Sequence, residues 1–381
     1  MINYLFKFTI VSAIFGLSMQ KRELVTVSVV FRHGDRTATY TYPLDPYNDI
    51  LYNETEAGEL TYAGKNRQYL LGKFLRARYE DFLPQLYSRK DIYVVSDDMD
   101  RCLMSAAANL AGIYTPENVT SSDEIWDKNF QYQPVPIHID AKLLWGEPFN
   151  CPYYYELEDD LYNSDYVRNI DEENKDFYAY INNHTQLNIT SLRDIGGIYQ
   201  VLYIESEMNL ELPEWTKAVY PGKLNELAAI SKYIQAFNKE VAKFSAGPLL
   251  RTIINGFKDR SYKMLMYSAH DTNIAQLVYT IAPQHEKFCP EFGSMVIFEL
   301  WRNGEDEYVE VYLKRDDNVT KIEVEGCEEL CSLSAFKSAL AEVTIEEEKL
   351  VELCRATSGA ISKTSLIYCV VVMLVLVLNM W

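Results

Sequence analysis

Three apolar runs, Leu24 to Val30, Ile92 to Val95 and Met264 to Tyr267, each stop abruptly at polar residues. Their shortness and freedom from charged residues predict strands buried on both faces, as in a parallel sheet. Each run leads through a polar loop into a helical stretch; the clearest cases are the helix running through Ala111 and the apolar stretch Ile274 to Ile281. Ser294 to Leu300 and Tyr308 to Lys314 flank Arg302-Asn303-Gly304 and predict an antiparallel hairpin. Residues 150–257 carry helical patterning instead. Leu227, Ile230, Ile234, Phe237, Val241 and Phe244 recur at three and four and predict one helix from Leu224 to Phe244, stopped by Gly247-Pro248. The expected architecture is an α/β sheet domain, residues 19–149 and 258–354, with a mainly helical insertion at 150–257 that covers the strand ends as a lid.

The strand-end loops hold the candidate chemistry. Phe31-Arg32-His33-Gly34-Asp35-Arg36-Thr37 places a histidine between two arginines on a glycine turn. Guanidinium forks match phosphate oxygens in pairs and stay charged, so a phosphoryl group can be brought against an imidazole nucleophile there. The bland alternative is a surface histidine in a solvated basic turn. Ser268-Ala269-His270-Asp271-Thr272 follows the third run in the same way, and in open α/β sheets ligands gather at the carboxyl ends of the strands. After the second run, Ser96-Asp97-Asp98-Met99-Asp100-Arg101 leads into a helix. Arg101 falls in the first turn, where the helix dipole disfavours a cation, so the position suits a docked anion. The competing reading is a salt bridge to Asp97, Asp98 or Asp100.

On Arg32 to Thr37, the helix of Leu60-Thr61 with Tyr69 to Gly72, Asp100 to Ala106 and Met266 to Thr272, the chain resembles the histidine acid phosphatases, the phosphoglycerate-mutase-like branch with prostatic and lysosomal members. The likeness runs from Leu24 to Cys354. Ala38 departs from it, standing where proline is usual. The resemblance implies a phosphoglycerate-mutase-like central sheet flanked by helices. It implies that His33 attacks phosphorus to form a phosphohistidine, and that Arg32, Arg36, Arg101 and His270 hold the non-bridging oxygens. Asp271 would protonate the leaving oxygen and later activate water; only a protonated carboxyl can do the former, which would explain an acidic optimum. His270 could instead be a packed histidine oriented by Asp271. The resemblance also pairs Cys151 with Cys354, and puts Met295 where a cysteine of a third bridge would lie.

Composition narrows the setting. With 381 residues and 48% hydrophobic content the chain can bury a large core, and 55 acidic against 36 basic side chains give a net charge of −19. A nucleic-acid partner is therefore not expected. No cofactor and no metal are expected either: the five histidines, His33, His138, His184, His270 and His285, form no ligand pair at metal-binding spacing. His138 reads as structural, His184 lies in a sequon and His285 in a polar loop.

Residues 1–18, with an apolar stretch from Phe8 to Leu17, read as a secretory signal. Sequons at Asn53, Asn118, Asn183, Asn188 and Asn318 fit that route. Seven cysteines in an oxidising compartment call for bridges, and Cys327 and Cys331 are close enough for a local one. Cys102 and Cys289 are either free thiols or an extra pair, and Cys369 belongs to the tail. That tail, Leu366 to Trp381, lacks charge and follows a spacer at 355–365. As a helix it spans about 24 Å against a hydrocarbon layer of roughly 30 Å, so a short transmembrane anchor and a lipid-anchor signal both remain open.

The leading expectation is an acid phosphatase acting on small phosphomonoesters at the cell surface or an endolysosomal membrane, its catalytic domain extracellular or lumenal, with a homodimer as one open assembly. A mutase-like phosphotransferase and a catalytically silent surface glycoprotein are the alternatives. Nothing in the residues selects among nucleotides, lysophospholipids, phosphoproteins and inositol phosphates.

Overall fold

The computed structural model describes residues 22–48, 57–114, 132–148 and 150–355. The signal at 1–18, Asn53, Asn118 and the tail from 366 lie outside the described residues. The three buried runs are adjacent parallel strands. In a mixed sheet of eight strands, β1 (Glu23–Arg32) lies beside β4 (Met264–Ala269), which lies beside β2 (Ile92–Ser96) and then the two-residue β3 (His138–Ile139). Across β1 the direction reverses: β5 (Met295–Asn303), β6 (Asp306–Arg315) and β7 (Asn318–Ile322) are antiparallel, and β8 (Cys331–Ser332) pairs β6. The hairpin turns more tightly than the sequence pattern suggests, because Gly304 adopts φ 67° and Asn303 pairs directly with Asp306.

Side-chain alternation along β1 divides the core. Val27, Val29 and Phe31 pack with Leu71 and Leu75 of α1 (Tyr62–Arg78) and with Ala106, Leu110 and Ile113 of α2 (Asp100–Ile113). Val30 faces the other side. There it joins Tyr267 and Ala269 of β4 and a cluster built from later helices of the chain. β1, β2 and β4 are thus largely buried on both faces, which is why their sequences read as short, mostly apolar runs without charge.

The segment between β3 and β4 is helical: α3 (Ala141–Leu144), α4 (Pro152–Tyr162), α5 (Asp165–Glu173), α6 (Lys175–Thr185), α7 (Leu192–Glu207), a 3-10 turn at Glu214–Ala218, α8 (Gly222–Ile234), α9 (Lys239–Ala242) and α10 (Gly247–Asp259). The single helix expected from Leu224 to Phe244 is not one helix. It breaks after Ile234, and Asn238 starts α9 afresh by accepting a hydrogen bond from the Val241 amide. The apolar periodicity runs through the break because Ile234, Val241 and Phe244 are all buried on either side of it. Gly247-Pro248, read as a stop, instead opens α10, since proline in a first helical turn lacks only an N–H that would go unused. After β4 come α11 (Asp271–Ile281) and, beyond β8, α12 (Leu333–Ala339).

Cys151–Cys354 and Cys327–Cys331 are disulfide-bonded. Cys102 and Cys289 are separate buried thiols rather than an extra pair. His138 stacks on Tyr93 at 4.5 Å between ring centroids, in keeping with its structural reading, and His184 stacks on Trp215.

Candidate active site

The register of the parallel strands gathers the three loops. Arg32 stands opposite Ala269, and Ser96 opposite Ser268, so β1, β4 and β2 end side by side. Beyond them come His33, His270 and Asp97. β1 is also the strand at which the sheet changes from parallel to antiparallel neighbours.

His33 is 2% exposed, and its Nδ1 lies 2.8 Å from the Gly34 carbonyl oxygen. A carbonyl only accepts, so Nδ1 carries the hydrogen and Nε2 keeps its lone pair. Burial, followed by the charges of Arg32, His270, Arg36 and Arg101, holds the imidazole pKa well below its ordinary value. The ring therefore stays neutral in mild acid, where an ordinary histidine would protonate and lose its nucleophilicity. Gly34 is required by packing: a Cβ there would sit 2.3 Å from the Gly64 carbonyl oxygen of α1. Its amide donates to Ser105 Oγ at 3.0 Å, tying the loop to α2.

The arginines are fixed from outside the loop. Arg32 donates to the Pro290 carbonyl at 2.5 Å, lies 4.2 Å over the Phe292 ring and has Asp271 Oδ2 at 3.7 Å. Arg36 donates to the Thr37 carbonyl and, at 2.7 Å, to Gln200 Oε1 of α7. Burial and then the Arg32 and Arg101 charges lower the Arg36 pKa to about 10, the mark of like charges assembled to meet an anion. Arg101 sits at the start of α2, and among the described residues no ion pair joins it to Asp97, Asp98 or Asp100. The Nε groups of Arg32, Arg36 and Arg101 are buried without protein partners.

Asp97 was visible in the sequence only as a rival partner for Arg101. It pairs instead with His270, Oδ2 lying 2.7 Å from Nε2. The carboxylate orients this ring; Asp271, the partner weighed from the sequence, does not. Its strand-end position beside Ser268 was the signal that could have singled it out. His270 and His33 meet edge to face at 5.5 Å between centroids. With Cys102, whose Sγ is 3.7 Å from His270 Nε2, Asp97 and His270 form the one group of three metal-capable side chains among the described residues. Its shortest separation is already filled by the histidine–carboxylate hydrogen bond.

Asp271 Oδ2 is 3.2 Å from Lys232 Nζ of α8, a residue with no motif to mark it. Burial pushes the Asp271 carboxyl up, but the charges of Lys232, Arg32, His33 and His270 together outweigh it and hold the pKa well below the ordinary value. This changes the simple expectation of a resting protonated acid. In the free protein Asp271 is ionised throughout mild acid. Asp35, inside the first motif, faces away and binds Arg67 in bidentate fashion at 2.7 and 2.9 Å; Arg67 in turn reaches Glu207 of α7 at 2.6 Å. That brace joins the His33 loop to the helical segment.

A cavity of about 280 Å³ starts at Arg32 and Asp271 and extends between α4, α7 and α8. His33, Arg36, Arg101 and His270 do not line it.

Similarity to known proteins agrees with the geometry. The family model for the histidine phosphatase superfamily (branch 2) matches residues 23–314. The chain is 32% identical to the lysosomal acid phosphatase of Xenopus laevis over 364 residues, covering 91% of this chain and 82% of that protein. It is 33% identical to the prostatic acid phosphatase of Homo sapiens over 341 residues, covering 86% and 87%. Among solved structures, the apo phytase of Hafnia alvei superposes with a TM-score of 0.64 over 87% of this chain and 98% of that one; at 16% identity this is a likeness of fold. The chain belongs to the histidine phosphatase superfamily, branch 2. Within it, its kinship is with the acid phosphatases, and it is a phosphatase acting on phosphate monoesters.

Proposed function

We propose that Nε2 of His33 attacks the phosphorus of a phosphomonoester while Arg32, Arg36 and Arg101 hold the non-bridging oxygens, and His270, its Nε2 bound to Asp97, packs edge to face on the His33 ring beside them. The phosphorus–oxygen ester bond breaks, and Asp271 passes a proton to the departing alcohol. Asp271 then takes a proton from water as the water oxygen attacks phosphorus; the P–N bond breaks and inorganic phosphate leaves. The observation that carries this reading is the state of His33: a neutral ring with Nδ1 bound to Gly34, Nε2 free, and cations on several sides. Positioning and charge stabilisation then supply most of the catalysis.

The proton for Asp271 comes with the substrate. A phosphate ester whose second ionisation lies near pH 6 carries one in mild acid, and the bound anion opposes the cations that keep Asp271 ionised. The helical segment acts as the lid that sets substrate choice, because α7 touches Arg36 and α8 touches Asp271.

The secretory setting is part of the same reading. It rests on the leader, on the two disulfides, and on the exposure of Asn183, Asn188 and Asn318 as sites for glycans. No helix among the described residues is long and apolar enough to cross a membrane, so anchoring rests on the tail sequence alone.

Acid-quench trapping tests the mechanism. His33→Ala should stay folded and lose turnover, and quenched wild-type enzyme should carry an acid-labile, base-stable phosphate on His33. Asp271→Asn should lose about a hundredfold to ten-thousandfold on alkyl phosphates and far less on nitrophenyl phosphate, which needs little protonation to depart. Phosphate trapped on serine or cysteine, or equal losses on the two esters, would overturn the assignment.

A further inference from the structure

We propose that Lys232 is a binding site for an anionic group on the leaving alcohol, so that the preferred substrates are phosphomonoesters whose alcohol carries a carboxylate or a second phosphate close to the ester oxygen. This rests on the proposed role of Asp271, and it adds a substrate class that the phosphate cradle alone does not define.

The cradle and the cavity meet at two side chains. Arg32 and Asp271 belong to both, whereas the other phosphate-holding residues and His33 are absent from the cavity lining. In an in-line displacement the leaving oxygen lies opposite the nucleophile, and Asp271 is the group that must reach that oxygen. The cavity beyond Asp271 is therefore the leaving-group side. Lys232 lines it, together with Tyr162, Tyr199 and Arg193.

Charge then decides what Lys232 is for. It is a partly exposed ammonium, 23% by side chain, and its ion-pair partner among the described residues is Asp271 at 3.2 Å. Arg193 is already taken by Asp159 at 2.6 Å and by the face of Tyr162 at 4.3 Å. Glu147 and Glu158 are half-buried nearby acids; Glu147 feels the Lys232 charge, but among the described residues neither comes close enough to form an ion pair with it. When Asp271 accepts the proton that it must deliver, it loses its charge, and Lys232 loses its counter-ion. A partly buried cation that loses its partner beside a cavity is left unneutralised. An anionic substituent on the alcohol, within a few ångströms of the ester oxygen, restores the pair at the moment the acid form of Asp271 is needed. A neutral alcohol leaves Lys232 to compete for the Asp271 carboxylate and so opposes protonation.

The test compares 3-phosphooxypropanoate with its neutral amide, using nitrophenyl phosphate as the measure of basic phosphatase chemistry. The two alkyl esters share shape and leaving oxygen and differ by one charge. Wild-type kcat/KM should favour the acid by about tenfold or more, the scale of a charge-assisted contact. Lys232→Met should erase most of that ratio, and Lys232→Arg should restore it. Because each ratio is taken within one variant, any change in shared chemistry cancels, and the arginine variant keeps the test informative should the methionine variant fold poorly. Equal wild-type rates on the two esters, a preference for the amide, a preference that survives in Lys232→Met, or turnover of nitrophenyl phosphate with neither alkyl ester accepted would each overturn the subsite. Loss of nitrophenyl phosphate turnover in the wild type would refute the phosphatase mechanism itself.

Discussion

Glu205 of α7 should make the protein more stable in acid than at neutral pH, and replacing it with glutamine should remove that dependence. Its side chain is 0% exposed, and neither carboxyl oxygen has a hydrogen-bond partner. Asp45, 8% exposed, faces it from the segment after the first motif; its Oδ1 accepts from the Tyr47 amide at 2.8 Å while Oδ2 has no partner, and the buried Tyr42 hydroxyl beside them is likewise unpartnered. Burial and then the Asp45 charge raise the Glu205 pKa from 4.5 to about 8. The folded state thus holds a proton that the unfolded chain releases above its ordinary pKa. Stability is complete below that value and falls as pH rises towards the folded one, by about 1.4 kcal/mol per pH unit, with a ceiling of about 5 kcal/mol across the window. Glu205→Gln keeps the shape and a donor for Asp45 without the charge. It should be close to neutral at pH 4.5 and stabilising by roughly 2–4 kcal/mol at pH 8, some of the ceiling being lost to structural relaxation. Urea unfolding of both proteins at the two pH values, compared as a difference, cancels the titrating groups that do not touch Glu205 and leaves the response of the Glu205–Asp45 pair. An equal effect at both pH values, or a larger destabilisation at pH 8, would refute the argument.

Asp97→Asn removes the charged acceptor that orients His270 and should lower kcat by roughly tenfold to a hundredfold while thermal stability changes little; a kcat–pH profile and a kcat unchanged from wild type would show that the carboxylate has no positioning role. Truncation from Thr364 onward should yield a secreted, fully active enzyme, and residual membrane association after truncation would show that the tail is not the anchor.

The sequence exposed the parts of this protein that follow local rules. Buried parallel strands leave short, mostly apolar runs without charge, and a strand-end loop with Arg-His-Gly shows its chemistry in consecutive residues; β1, β2, β4 and the roles considered for Arg32, His33 and Arg36 were legible for that reason. Asp97 and Lys232 were not, because their meaning is tertiary. Asp97 lies beside His270 only once β2 and β4 pair in register. Lys232 is one cation on a helix of ordinary composition, and only the packing of α8 over the strand ends brings it to Asp271. The break after Ile234 was hidden for a related reason: apolar spacing reports which side faces the core, and a helix can restart without changing that side.

In the proposed mechanism the charges that keep His33 neutral also keep Asp271 ionised, and this shapes how the enzyme should depend on pH. Arg32 is prominent in both effects: it helps to lower the His33 pKa, and with Lys232 it holds Asp271 ionised. A free site in mild acid is therefore neutral at the nucleophile and unprotonated at the acid, which is half of what catalysis needs. The missing proton and the compensating negative charge are both properties of a phosphate ester in its monoanionic form. On the proposed mechanism an acidic optimum follows from the substrate's second ionisation rather than from a protein carboxyl, and kcat/KM should fall as pH rises through that ionisation. Two esters with similar leaving groups whose second ionisations differ by about one pH unit, near 6 for ordinary monoesters, should show alkaline limbs displaced by about the same amount. A limb that stays fixed for both esters would place the controlling proton on the protein, with Asp271 protonated before substrate binds.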